Sequence, residues 1–297
     1  MEKVLVKPEP LIDLIKNDLP PYPCWIEPGI LPKGGTLLFG GQAKSGKSFL
    51  MLELIRALAT GTVPFGYNYF QIGEPVKCLL IEQELGKYGL QKRVKKIFEN
   101  EDEKKFGPNI FYASKIPEMQ LDSREGRELL LDLVEKIKPN VLFLDPIGRL
   151  QSYDENKSEQ IQQLFTNLEY LLKCFDENGM SLVLSHHFAK PSSDKNNSRD
   201  PLDPYSFRGS SKWYDCPDTL MTAQKLETLA TKWKAWNIKV RFDTRQDESP
   251  QDLLLSVNRD QDLRVRFEKT LGETPPPIKK KEEKKAEVPQ QLKFMQG

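Results

Sequence analysis

Eight consecutive residues limit what this chain can fold into more than any other feature. Gly41-Gln42-Ala43-Lys44-Ser45-Gly46-Lys47-Ser48 has the pattern G-x-x-x-x-G-K-[ST], directly after the apolar run at 36–40 and at the head of an amphipathic stretch. The glycines permit a backbone wrap in which several N–H groups converge at a helix N-terminus, a site suited to phosphate oxygens. In that geometry Lys47 reaches the β and γ oxygens of a nucleotide and the Ser48 hydroxyl joins the shell of a Mg²⁺ ion. The expected cradle runs from Gly41 through Ser48 to Phe49, and ATP with Mg²⁺ is the expected occupant.

A strand, a tight loop and a helix in succession belong to an α/β architecture, and the chain continues in that manner. Short apolar runs at 36–40, 77–82, 109–113, 140–145 and 181–187 alternate with helical periodicity at 47–59, 88–99, 123–136 and 158–176. This predicts a mostly parallel central sheet flanked by helices. Beyond His187 a polar, turn-rich stretch precedes four further apolar segments, read as antiparallel strands that extend the sheet. The expected organisation is an N-terminal arm over 1–32, a core over 33–270 and a disordered Lys/Glu-rich tail over 271–297.

With 38% hydrophobic residues and a net charge of +1 over 297 residues, the chain can bury a core. No stretch approaches the roughly 20 apolar residues of a membrane helix, and no signal-peptide pattern opens the chain, so a cytoplasmic location and no membrane partner are expected. The four cysteines are far apart and form no C-x-x-C pair. With only two histidines, His186 and His187, a histidine metal cage is hard to build, which leaves carboxylates, hydroxyls and phosphates as ligands and Mg²⁺ as the metal. From Thr274 onward six lysines face three glutamates, so the tail carries +3 and the remainder about −2. A nucleic-acid site must therefore be a local patch.

Other candidates cluster at strand ends, where open parallel sheets collect their chemistry. Asp145 ends the run Val141–Leu144 as a Mg²⁺-orienting acid would, although a helix-capping Asp has the same pattern. Glu82 and Glu84 end another run and share a parity that would set both on one strand face. Glu84, farther past the end, is the better candidate to polarise an attacking water, with Glu82 structural or supporting. His186 and His187 close the next strand, where one imidazole could sense the γ-phosphate, or one could be buried and structural beside an exposed neighbour. The loop 188–207 offers Lys190, Lys195 and Arg199 to a phosphate backbone, but Asp194, Asp200 and Asp203 balance them, which also suits a solvated loop. Lys239 and Arg241 stand at i and i+2, so on a strand both project to one side.

Taken in order, these pieces resemble the RepA-type RecA-fold ATPases, relatives of the hexameric replicative DNA helicases grouped with the AAA-family ATPases. The resemblance runs from Trp25 to Glu268, through the entry Trp25–Gly35, the P-loop, Glu84, Leu90-Gln-Lys-Arg93, Leu144-Asp145-Pro146, His186–Lys190, Arg208-Gly-Ser-Ser211, Asp218 and Lys239-Val-Arg241. It implies a RecA-like fold, a water-activating role for Glu84, Mg²⁺ support from Asp145 and Ser48, and His187 near the γ-phosphate. It implies that Lys239 and Arg241 reach a neighbouring subunit's nucleotide in a homo-oligomeric ring, with a hexamer as the expected size. It also implies that the segments after Asp145 and His187, carrying Arg149 and Arg208, line a channel for single-stranded DNA. The segment after Asp145 is not itself basic. The expected function is an ATP-hydrolysing ring motor on single-stranded DNA, of the replicative helicase type, with replication or loader proteins held by the tail. The alternative is a regulatory or assembly ATPase that acts on protein partners without unwinding.

Overall fold

The apolar runs and amphipathic stretches resolve, in a computed structural model that describes residues 10–16, 18, 20–189, 200–226, 235–245, 249–258 and 262–272, into an α/β architecture. Its strands are β1 (Cys24–Ile26), β2 (Leu31–Pro32), β3 (Thr36–Gly41), β4 (Cys78–Glu82), β5 (Ile110–Ser114), β6 (Val141–Asp145), β7 (Ser181–Ser185), β8 (Thr219–Leu226), β9 (Ala235–Thr244), β10 (Asp252–Asn258) and β11 (Val265–Leu271). The α-helices are α1 (Leu11–Lys16), α2 (Lys47–Thr60), α3 (Gly86–Ile97), α4 (Glu103–Phe106), α5 (Arg124–Ile137), α6 (Ser158–Cys174) and α7 (Lys212–Asp215). No helix among the described residues is long and apolar enough to cross a membrane.

Nine strands form one sheet in the order β11-β10-β9-β8-β3-β7-β6-β4-β5. Every residue of β3, β4, β6 and β7 is buried, as expected of parallel strands covered on both faces. Successive side chains divide between two cores. One joins Leu37, Phe39 and Phe143 to Leu50, Leu54 and Leu58 of α2; the other joins Leu38, Leu142 and Leu184 to Val134 of α5 and Leu164 of α6. The parallel strands thus end together beside the start of α2, and this edge collects the loops of interest.

Two features differ from the sequence reading. β8 pairs in parallel with β3, Leu37 opposite Thr219 through Gly41 opposite Ala223, so only β9, β10 and β11 form the antiparallel finish. The segment between β7 and β8 is long enough for the crossover that a parallel neighbour requires. The second is that residues 24–32 of the expected arm enter the core. Trp25, Ile26, Ile30 and Leu31 are buried, Trp25 Nε1 donates to Gly179 O at 2.9 Å, and Lys33 Nζ lies 4.1 Å from the Trp25 ring centre. The tail from 273 onward lies outside the described residues.

Candidate functional site

The loop between β3 and α2 is shaped by two glycines. Gly41 has φ 152°, and a Cβ there would lie 2.6 Å from Ala223 O and 2.7 Å from Ser45 Oγ. Gly46 has φ 103°, and a Cβ there would lie 2.5 Å from Ile238 Cδ1. Both conformations are costly for any other residue, so the wrap is written into the sequence. Gln42, Ala43 and Lys44 are exposed and Ser48 is half-buried at the start of α2. Phe49 is drawn into packing, its ring 4.5 Å from the Arg93 guanidinium carbon and edge-on to Trp236 at 5.4 Å.

Lys47 is buried, and its Nζ donates to Gly41 O at 2.7 Å and Gln42 O at 2.8 Å. Burial lowers its pKa to about 8, opposed by the nearby Asp145 and Glu84 carboxylates. The ammonium is held by weak carbonyl partners that stronger anionic oxygens would outcompete. Ser45 Oγ is buried without a hydrogen-bond partner among the described residues. A glycine-shaped wrap, an orphaned hydroxyl and a buried cation fit nucleotide phosphates. No group of three or more His, Cys, Asp or Glu among the described residues could hold a metal ion alone. Ser48 and Asp145 could hold Mg²⁺ together with phosphate and water oxygens, the usual sharing for that ion.

Asp145 is buried at the end of β6 and accepts a hydrogen bond from Ser185 Oγ at the end of β7. Burial raises its pKa; the Ser185 bond opposes this, Glu84 and Glu82 add to it, and Lys47 opposes it. Glu82 is also buried, and its carboxylate is fully engaged: Oε1 accepts from Glu84 N at 2.7 Å and from Leu85 N, and Oε2 from Gly86 N at 2.8 Å. These bonds turn the chain out of β4 and start α3 at Gly86, two residues before the expected Tyr88. The turn also removes the shared strand face expected of Glu82 and Glu84. The Glu84 side chain is exposed, within electrostatic reach of Lys47, Asp145 and His187.

The two histidines have different surroundings. His186 Nε2 lies 3.1 Å from Arg208 O, so that nitrogen is the protonated donor, and the ring stacks on Trp213 with centroids 4.1 Å apart. Burial pushes its pKa down to about 4. His187 is half-buried, with Nδ1 enclosed and unpartnered among the described residues. Its pKa is lowered, first by burial and then by Lys47, with Glu84 opposing and Arg149 and Arg208 adding.

Arg149 is exposed in the turn after Asp145, and Arg208 is exposed with its Nε 3.0 Å from Glu155 Oε2. Ser210 N donates to Glu155 O at 2.7 Å, and the Ser158 and Ser210 hydroxyls are 2.8 Å apart, so the two loops are laced together. Lys190, Lys195 and Arg199 lie outside the described residues. Lys239 and Arg241 do share one side of β9. Lys239 Nζ is 3.1 Å from Asp252, while Arg241 donates twice to Asp252 at 3.1 Å and once to Asp200 at 2.8 Å. Ile238, the residue before Lys239, faces Gly46 from the opposite side of the strand. The chain's own P-loop and these two cations are therefore on different faces of the sheet.

Residues 5–193, more than half of the chain, match the AAA domain family. The chain belongs to that family. A KaiC-like protein from the hyperthermophilic archaeon Pyrococcus horikoshii has a similar structure, with a TM-score of 0.50 and 15% identity over 82% of this chain and 94% of that one. That likeness is one of fold, and it agrees with the RecA-like sheet described above. No curated protein matches the chain by sequence. This AAA-domain protein is a P-loop ATPase. Sequence reasoning overlooked two features of its site: Ser185, the partner of Asp145, was visible as the residue before the histidine pair, and the basic run of α3 was visible as K-x₄-K-R-x-K-K.

Proposed function

We propose that this AAA-domain ATPase works as a ring of identical subunits, a replicative-type helicase or translocase on single-stranded DNA, with ATP between adjacent copies. The observation that carries the reading is the division of β9. Ile238 packs on the P-loop glycine Gly46, while Lys239 and Arg241 leave from the other face of the strand, where they pair with Asp252 and Asp200. Cations in that position suit a neighbour's phosphates, where they stabilise charge as it develops.

In this reading Lys47 exchanges its loop carbonyls for the β and γ oxygens. Glu84 orients the attacking water and accepts its proton, a task open to it because Glu82 is committed to the turn. Asp145, with Ser185 fixing one of its oxygens, and Ser48 would hold Mg²⁺, which supplies charge neutralisation when bound. His187, within electrostatic reach of Lys47, Glu84, Arg149 and Arg208, would link the nucleotide to the two loops that would meet DNA.

The second reading, a regulatory or assembly ATPase directed at proteins, is favoured by α1, which exposes Leu11 at 71% and Ile15 at 72%. Steady-state ATP hydrolysis with and without single-stranded DNA, at low and moderate salt, separates them. Stimulation that fades with salt supports the motor. Hydrolysis indifferent to DNA in every condition overturns it in favour of the protein-directed switch.

A further inference from the structure

A run of positive charge lies on a helix, on neither loop expected to meet DNA. Helix α3 carries Lys87, Lys92, Arg93, Lys95 and Lys96 and no acidic residue. The loop 188–207, by contrast, balances three cations with three aspartates. Lys87, Tyr88, Gln91, Lys92 and Lys95 are exposed, and at 3.6 residues per turn they fall within an arc of about 140° on the side away from Leu90 and Ile97. Lys87, Lys92 and Lys95 have no carboxylate partner among the described residues, and Tyr88 is 89% exposed. A solvated helix face that served only to keep the protein soluble would mix both signs of charge.

Two further cations lie near the start of α3, on the side of the buried Gly86 and not of the exposed arc. The Lys115 side chain lies against Gly86, the first residue of α3, where a Cβ would be 3.3 Å from Lys115 Cε. Lys115 and Arg149 then line a cleft of about 280 Å³ together with Gln83, Ile116, Pro117 and Gln120. Neither cation has a carboxylate partner among the described residues. Lys115 and Arg149 thus belong to that cleft and are separate from the exposed face of α3.

We infer that the exposed face of α3 binds the phosphate backbone of single-stranded nucleic acid, with Tyr88 available to stack on a base. The inference rests on the nucleic-acid reading above and names a surface outside the two loops after β6 and β7. Unpaired cations along a helix fit a flexible polyanion by charge, and an exposed aromatic among them is the feature single strands use for sequence-independent stacking. The helix starts where Glu82 holds the backbone of Glu84, so a strand seated here lies beside the hydrolytic acid.

The test is binding of a fluorescent oligothymidylate to the full chain by anisotropy, in a non-hydrolysable ATP analogue, across a salt series. Lys87→Gln/Lys92→Gln/Lys95→Gln should weaken binding by about 10–100-fold at 0.1 M salt. It should also reduce the slope of log K against log salt by about 2, at about 0.7 for each phosphate no longer neutralised. Tyr88→Ala should cost about tenfold. Lys87→Arg/Lys92→Arg/Lys95→Arg, which keeps the charge, should bind as the wild type does, and circular dichroism should be the same for all of these variants. A wild type that binds while the glutamine variant matches it in affinity and slope would overturn the α3 assignment and leave the loops as the binding site. A wild type that binds no oligonucleotide at any salt would overturn the nucleic-acid reading itself. Displacement by polyglutamate at the concentration that works for unlabelled oligothymidylate would reassign the surface to an acidic protein.

Discussion

The two carboxylates that end β4 provide the sharpest separation between folding and chemistry. Glu82 accepts three backbone N–H groups at the entry to α3, two on Oε1 and one on Oε2. Glu82→Gln keeps one carbonyl oxygen but turns an amide NH₂ toward a backbone donor, removing at least one hydrogen bond to a charged group. Such a bond contributes about 1.5–3 kcal/mol, and the missing negative charge at a helix N-terminus adds about 0.3–1 kcal/mol. The expected destabilisation is therefore roughly 2–4 kcal/mol. Glu84 is exposed and its carboxylate closes no turn, so Glu84→Gln should change stability by no more than about 0.5 kcal/mol while stopping ATP turnover with nucleotide still bound. Equilibrium urea unfolding followed by tryptophan fluorescence, with ATP binding and hydrolysis measured on the same preparations, reads both quantities. A Glu82→Gln protein as stable as the wild type, or a Glu84→Gln protein that still turns over, would refute the division of roles.

Further outcomes follow from the same geometry. Lys47→Ala should abolish hydrolysis, and unchanged turnover would remove the P-loop from the mechanism. Because the folded-state pKa of Lys47 is depressed to about 8, the nucleotide-free protein should become more stable as pH rises from about 8 toward 10.5; pH-dependent urea unfolding should show that rise shrink in Lys47→Met. His186, depressed to about 4, should act in the same sense at lower pH: stability declines as pH falls from about 6.5 to 4, and His186→Phe should flatten that part of the profile. Arg56 is buried between Glu53 at 2.7 Å and Glu101 at 2.8 Å, so Arg56→Ala leaves the buried Glu53 carboxylate with only the more distant Arg264, at 3.5 Å, and should cost about 3 kcal/mol in the same unfolding assay. Arg241→Ala should be inactive alone and regain hydrolysis when mixed with subunits that carry Lys47→Ala; mixed rings with no activity would argue against action across a subunit boundary.

Much of this molecule was legible in the sequence because its inner strands are buried on both faces and so read as unbroken apolar runs. The start of α2 at Lys47 was fixed by the glycine pattern, and α5 begins at Arg124, next to the expected start at 123, where Ser123 Oγ accepts from Gly126 N at 2.9 Å. The direction of β8 was not legible, since the period of a strand is the same whether it runs parallel or antiparallel. The sequence set Glu84 past the strand end as the better base and Glu82 as structural or supporting, but the separation of their side chains was hidden, because parity holds only while a strand continues and Glu82 itself ends the strand. The ion pairs of Arg241 could not be foreseen either: its partners lie 11 and 41 residues away, and only the folded sheet brings Asp252 and Asp200 to one side of β9. The α3 charge was plain in the sequence, but it sits on a helix, whereas phosphate-binding cations were expected on the loops.

The same strand supplies an argument about coupling. α2 is clamped along its length: Arg56 and Glu53 tie its middle to Glu101 and Arg264, and Ile238 and Trp236 pack against its first turn through Gly46 and Phe49. The start of α2 is thus braced against β9. On the other face of β9, Lys239 and Arg241 are held by Asp252 and Asp200, pairs that are partly exposed and worth little individually. In the ring proposed above, a displacement of Ile238 by the subunit's own nucleotide would be passed within one residue to the cations offered to the next site. Releasing them requires only that weak surface pairs exchange for a neighbour's phosphate, a stronger partner. One strand would then both read the nucleotide of its own subunit and act on that of another, which is the physical minimum for sequential firing around a ring.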